Sequence, residues 1–165
     1  MQVPCSCIDG DFRLHAEVID PDNILLHDLS TWKASVGGFP VPETYELAVT
    51  SPMGDTTQVI SHPVGSYVLG PRNFGHRWQD GVYVFSTKSC GITYSTSLLI
   101  TPSLRCCIYR AVLHSPPSTR DRAMEALSLL EQAEIAVKLA KIEDAQNMLD
   151  LAKHYVSFYD CSSCN

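Results

Sequence analysis

All ten prolines and all nine glycines of this chain lie at or before Pro117, and none occurs in the 48 residues from Ser118 to Asn165. A stretch without breakers can run as helix, whereas the punctuated remainder must turn every few residues. The chain of 165 residues therefore reads as two parts, a domain over 1–115 and an appendage over 116–165. It is too short for two full-sized domains.

The first part alternates. In Phe12 to Val18 every second residue is apolar, which gives a strand one buried and one wet face. Similar runs are Asn23 to Leu29, Thr44 to Val49, Thr56 to Ile60, Gly81 to Thr87, Ile92 to Thr101 and Leu104 to Leu113, with turn signals at Pro21-Asp22-Asn23, Pro52-Met53-Gly54-Asp55 and Gln79-Asp80-Gly81. No helical period separates these runs, so parallel crossovers are excluded. The expectation is an α+β protein whose N-terminal part is an antiparallel, Ig-like β-sandwich of about seven strands. Ser61 to Asp80 reads as a long irregular stretch, either a surface loop or an extended arm, carrying His62, Arg72, His76 and Arg77.

After Pro116-Pro117 the period changes. Ser118 or Thr119 can cap a helix on which Ala123, Leu127, Leu130, Val137 and Ala140 fall at helical spacing. A second helix carries Ala145, Met148, Leu149, Ala152, Tyr155 and Val156 on one face, with Lys141 to Asp144 at the turn. The expectation is a C-terminal αα-hairpin, with one long helix as the alternative because no Gly or Pro marks the corner. Such a pair cannot bury its stripe alone, so Leu127, Leu130 and Val137 are candidate interface residues. Trp78, Arg72 and Arg77 are candidates for contacts made by the loop.

Composition narrows the function classes. With 45% hydrophobic and 18% charged residues the chain has the material for a core, and a net charge of -6 opposes the basic surface that binds phosphates. No run approaches a bilayer span, and Met1 to Gly10 lacks the basic start and apolar stretch of a signal peptide. A soluble, unprocessed protein is expected.

Seven cysteines fall in groups: Cys5 and Cys7, Cys90, Cys106 and Cys107, Cys161 and Cys164. Cys161-Ser162-Ser163-Cys164 lets two thiolates reach one tetrahedral ion, and Cys5 with Cys7 would complete a structural zinc site. Unliganded thiols and disulfides are the alternatives. Read as strand residues, Cys106 and Cys107 point to opposite faces and cannot easily share a metal. A redox role for the CxxC is disfavoured, because such motifs open a helix in a βαβ setting and this one trails the last helix.

Catalytic signatures are missing. The six histidines form no metalloenzyme spacing, Asp80-Gly81 fits a turn better than an acid catalyst, and Cys90 with His62 or His76 matches no protease motif. No phosphate-binding glycine loop or nucleophile elbow is present. The chain is expected not to be an enzyme.

The order of Asp28-Leu29-Ser30-Thr31-Trp32, Asp80-Gly81-Val82-Tyr83-Val84-Phe85 and Cys90-Gly91-Ile92-Thr93-Tyr94, followed by a helix pair and terminal cysteines, resembles virion proteins of tailed bacteriophages. More narrowly, it resembles the ring, or head-to-tail connector, proteins of crAss-like phages. The resemblance implies a non-enzymatic subunit that forms a homo-oligomeric ring in the neck or tail and contacts neighbouring portal, neck or tail proteins. It also implies synthesis in the bacterial cytoplasm and residence in the virion, without sequence-specific nucleic-acid binding or a membrane. A capsid decoration protein and a zinc-stapled β-sandwich that binds a ligand through the 61–80 loop are the alternatives.

Overall fold

The computed structural model describes residues 13–19, 33–39, 46–59, 66–70 and 78–164. Its elements are strands β1 (Arg13–Ile19), β2 (Lys33–Phe39), β3 (Leu47–Thr50), β4 (Thr56–Val59), β5 (Ser66–Leu69), β6 (Gly81–Ser89) and β7 (Ile92–Ile100), then helices α1 (Pro102–His114), α2 (Pro117–Lys138) and α3 (Ile142–Tyr155). A 3₁₀ turn, Ser162–Cys164, follows.

The strands form two small antiparallel sheets, ordered β1-β2-β5 and β4-β3-β6-β7. Alternation along β6 fixes their relation to the helices. Tyr83 and Phe85 join Leu14, Val36, Leu47, Val49 and Leu69 in a core between the sheets, while Val82 and Val84 join Leu99 and the helices in a second core. β6 is thus buried on both faces, as its nearly unbroken apolar run requires. The described residues form three layers: a small sheet, a central four-stranded sheet, and helices.

This corrects the Ig-like sandwich with an appended αα-hairpin. Leu104 to Leu113, expected as a strand, belongs to α1, and the helical layer is three helices wide. α2 packs against α1, α3 and β7, and α3 against β6. The physical reason is in the spacing. Leu104, Ile108 and Ala111 are buried at a 3.6-residue period, and Pro102 supplies a preset φ at the first helical position.

Two strands were not expected. β2 holds Gly37-Gly38, and Ala34, Val36 and Gly38 alternate inward and pair with β1 through Val18, Ala16 and Leu14. β5 lies inside the stretch expected to be an irregular loop and pairs with β2, Ala34 opposite Leu69. The expected strand at Asn23 to Leu29 lies outside the described residues.

α2 starts at Pro117, with Pro116 at the N-cap in place of the expected Ser118 or Thr119 and no side-chain capping bond. Its C-terminus turns without glycine. Ala140 takes φ 60°, the Lys141 amide donates to the Ala136 carbonyl at 2.8 Å, and the Ala140 amide donates to that of Val137 at 3.0 Å. These two bonds are a Schellman motif with alanine in the left-handed position. The β6–β7 hairpin closes on Cys90 and Gly91, with φ 49° and 84°. Two positive φ values match the twist of the flanking strands.

Candidate functional site

Among the described residues, four cysteines gather where α1 meets the Ser162–Cys164 turn. Cys106 and Cys107 are neighbours on α1, so their side chains diverge by roughly 100° around the helix axis. Both still reach the tail, because the Ser162–Cys164 turn lies against α1 and presents two cysteines to it. Disulfides join Cys106 to Cys164 and Cys107 to Cys161, with Cα separations of 5.8 and 5.2 Å. The Cys164 amide donates to the Cys161 carbonyl at 2.9 Å, closing the turn between the two bridges. Cys106, Cys107 and Cys164 are buried and Cys161 is partly exposed.

The start of α1 is held by a residue far away in sequence. Thr101, its N-cap, makes no side-chain capping bond. Instead the Asp80 carboxylate accepts from the Ser103 amide at 3.2 Å and from the Leu104 amide at 2.6 Å. Two of the helix's orphan donors are satisfied in this way. Burial pushes the Asp80 carboxyl up to about 6, against these two bonds and the charge of Lys153. Beside it Gly81 has φ 149°, and a Cβ there would stand 2.6 Å from the Pro52 side chain.

Next to Asp80 the Gln79 amide donates to the Tyr83 hydroxyl at 2.8 Å, and Trp78 meets the Tyr83 ring edge-on with centroids 5.2 Å apart. Burial raises the Tyr83 hydroxyl above its ordinary range. An ion pair between Arg105 and Glu134 ties α1 to α2. Arg122 lies over the Tyr155 ring, 5.8 Å from its centroid, and ties α2 to α3.

The sequence-based candidates are distributed as follows. Cys161 and Cys164 are brought together, but with Cys107 and Cys106 as bonded partners; Cys5 and Cys7 lie outside the described residues. With these bonds in place, no group of three or more His, Cys, Asp or Glu among the described residues is placed to hold a metal ion. Leu130 and Val137 are buried in the protein's own helical core, with Leu127 packed at its margin. Trp78 is buried between the sheets, and Arg72 and Arg77 lie outside the described residues. Cys90 stands exposed at the hairpin tip and is disulfide-bonded, so it offers no thiolate there.

From sequence, Asp80 reads as a turn residue. The missed signal is the pair Thr101-Pro102, a helix start whose amides need an acceptor. Among the described residues no helix is long and apolar enough to cross a membrane. Comparison of the chain with known protein families, curated proteins and solved structures returns no significant match.

Proposed function

We propose that this protein is a non-enzymatic assembly subunit, a ring-forming component of the neck or tail of a tailed bacteriophage. The observation that carries the reading is a set of three exposed apolar residues on the outer side of α2 and its C-cap. Met124, Ile135 and Leu139 are 47%, 57% and 61% exposed. At 100° per residue they fall within an arc of roughly 60° on one side of the helix. The inner face of α2 is already occupied, by Ala123, Ala126, Leu130, Ala133 and Val137. A helix with a filled inner face and an outer apolar stripe is suited to lie against a neighbouring subunit.

This moves the interface from Leu130 and Val137 to the opposite side of the same helix. Closure into a ring requires the stripe to meet a different surface on the next copy. The acidic net charge fits a ring through which DNA passes without adhering. Residence in the virion belongs to the same proposal.

The test is the double substitution Ile135→Glu, Leu139→Glu. Both positions are exposed, so the monomer's melting temperature is expected to stay within a few degrees while the assembled species disappears from sedimentation profiles. An unchanged sedimentation profile would count against the stripe as the interface.

A further inference from the structure

Two segments more than fifty residues apart deliver four sulfurs to one junction: Cys106-Cys107 on α1, and Cys161 and Cys164 on the terminal turn. We propose that these four cysteines, once their two disulfides are reduced, form a four-thiolate site for a single zinc-class ion.

The spacing fits. Cys106 and Cys107 are consecutive, with Cα atoms about 3.8 Å apart. Each faces its tail partner across 5.8 or 5.2 Å between Cα atoms, and the Cys164-to-Cys161 backbone bond folds the CxxC into one turn. The four sulfurs thus lie at one junction, and tetrahedral thiolate coordination is what zinc takes in closed structural sites. On the helix Cys106 and Cys107 diverge by roughly 100°, less than the opposite facing that a strand would impose.

Both halves of the site are held by contacts other than the sulfur bonds. Asp80 fixes the first turn of α1, the Arg105–Glu134 pair fixes its side toward α2, and Leu104 and Ile108 anchor it in the core. On the tail, Val156 is buried and Tyr159 packs against the same core. Reduction therefore leaves the two cysteine pairs close. The partly exposed Cys161 gives an ion a way in.

The chemistry balances with a dithiol as reductant. Each disulfide takes two electrons and two protons from one dithiol, which leaves as its own disulfide. The four thiols then release four protons as the divalent ion enters, leaving a centre of net charge minus two. Disulfide and metal are mutually exclusive occupants of the same residues. The proposal is independent of the assembly reading and replaces Cys5 and Cys7 with Cys106 and Cys107 as partners of the CxxC.

The test uses the full chain, reduced with a dithiol, freed of reductant without oxygen, and titrated with cobalt(II). One cobalt per chain is expected, with the visible bands of a tetrahedral ion and an intense thiolate-to-cobalt charge-transfer band, all bleached by zinc. The variant Cys5→Ser, Cys7→Ser should keep these bands, and Cys106→Ser or Cys161→Ser should lose the four-thiolate spectrum. Circular dichroism recorded alongside should show helix retained or restored when metal is added. Cobalt that stays octahedral, a spectrum that depends on Cys5 and Cys7 instead, or a reduced chain whose helices neither persist nor return with metal, would each overturn the proposal.

Discussion

The two disulfides at the α1–tail junction are nested, so their contributions to stability should be strongly non-additive. The bridge from Cys106 to Cys164 spans 58 residues of sequence and that from Cys107 to Cys161 spans 54. Closing a loop of either size in the unfolded chain removes entropy worth about 4 kcal/mol. Once one bridge exists, the second closes only a small ring through Cys106, Cys107 and the terminal turn, worth about 2 kcal/mol on the same scale. Removing either bridge by a Cys-to-Ala pair should therefore cost about 2 kcal/mol, and removing both about 6 kcal/mol. The coupling, about 2 kcal/mol, is large enough to resolve. The assay is urea unfolding of the wild type, Cys106→Ala/Cys164→Ala, Cys107→Ala/Cys161→Ala and the quadruple variant, all without reductant. Single losses that simply add up to the double loss would refute the reasoning, because they would show that the bridges constrain independent loops.

Other consequences concern the ends of the helices. Asp80→Ala removes both acceptors at the start of α1 and should destabilise the protein by about 1–2 kcal/mol in urea unfolding. Because burial holds Asp80 at about 6 against 3.8 for an ordinary aspartate, the folded state binds the proton more tightly. Its contribution is then fully present below pH 3.8 and is lost as pH rises through 6. The shift corresponds to at most about 3 kcal/mol; Asp80→Asn should flatten this part of the stability–pH curve, and an identical slope in the variant would contradict the assignment. Ala140→Gly relieves the left-handed alanine and should raise stability by about 1 kcal/mol, read as a higher urea midpoint. Gly81→Ala forces a methyl group against Pro52 and should lower stability by about 1–3 kcal/mol, read in the same way.

The sequence made some of this architecture legible, and the reasons for the rest are local. Gly81 to Thr87 and Ile92 to Thr101 were readable as strands because their β-branched and aromatic runs are bounded by Asp80-Gly81 and by Cys90-Gly91. α1 was not readable, since Leu104, Cys106 and Ile108 mimic an alternating run and the helix needs tertiary contacts to reveal its period. Its cap comes from a residue 23 and 24 positions earlier, a relation no local window contains. β2 was hidden by Gly37 and Gly38, which interrupt its apolar alternation yet pair with His15 and Leu14 of β1. At the junction, the four cysteines were visible as pairs, but reading α1 as a strand set Cys106 and Cys107 apart and hid their bonds to Cys164 and Cys161. On α2 the spacing of Leu130 and Val137 was read correctly as an apolar face, yet the protein uses that face internally. The outer stripe of Met124, Ile135 and Leu139 is too sparse to stand out beside it.

The most direct test of the assembly account is the native mass of the purified, full-length protein over a range of concentrations. The account predicts a closed oligomer of fixed, symmetric copy number that dissociates when Ile135 and Leu139 are made acidic. A protein that remains monomeric at every concentration would contradict it.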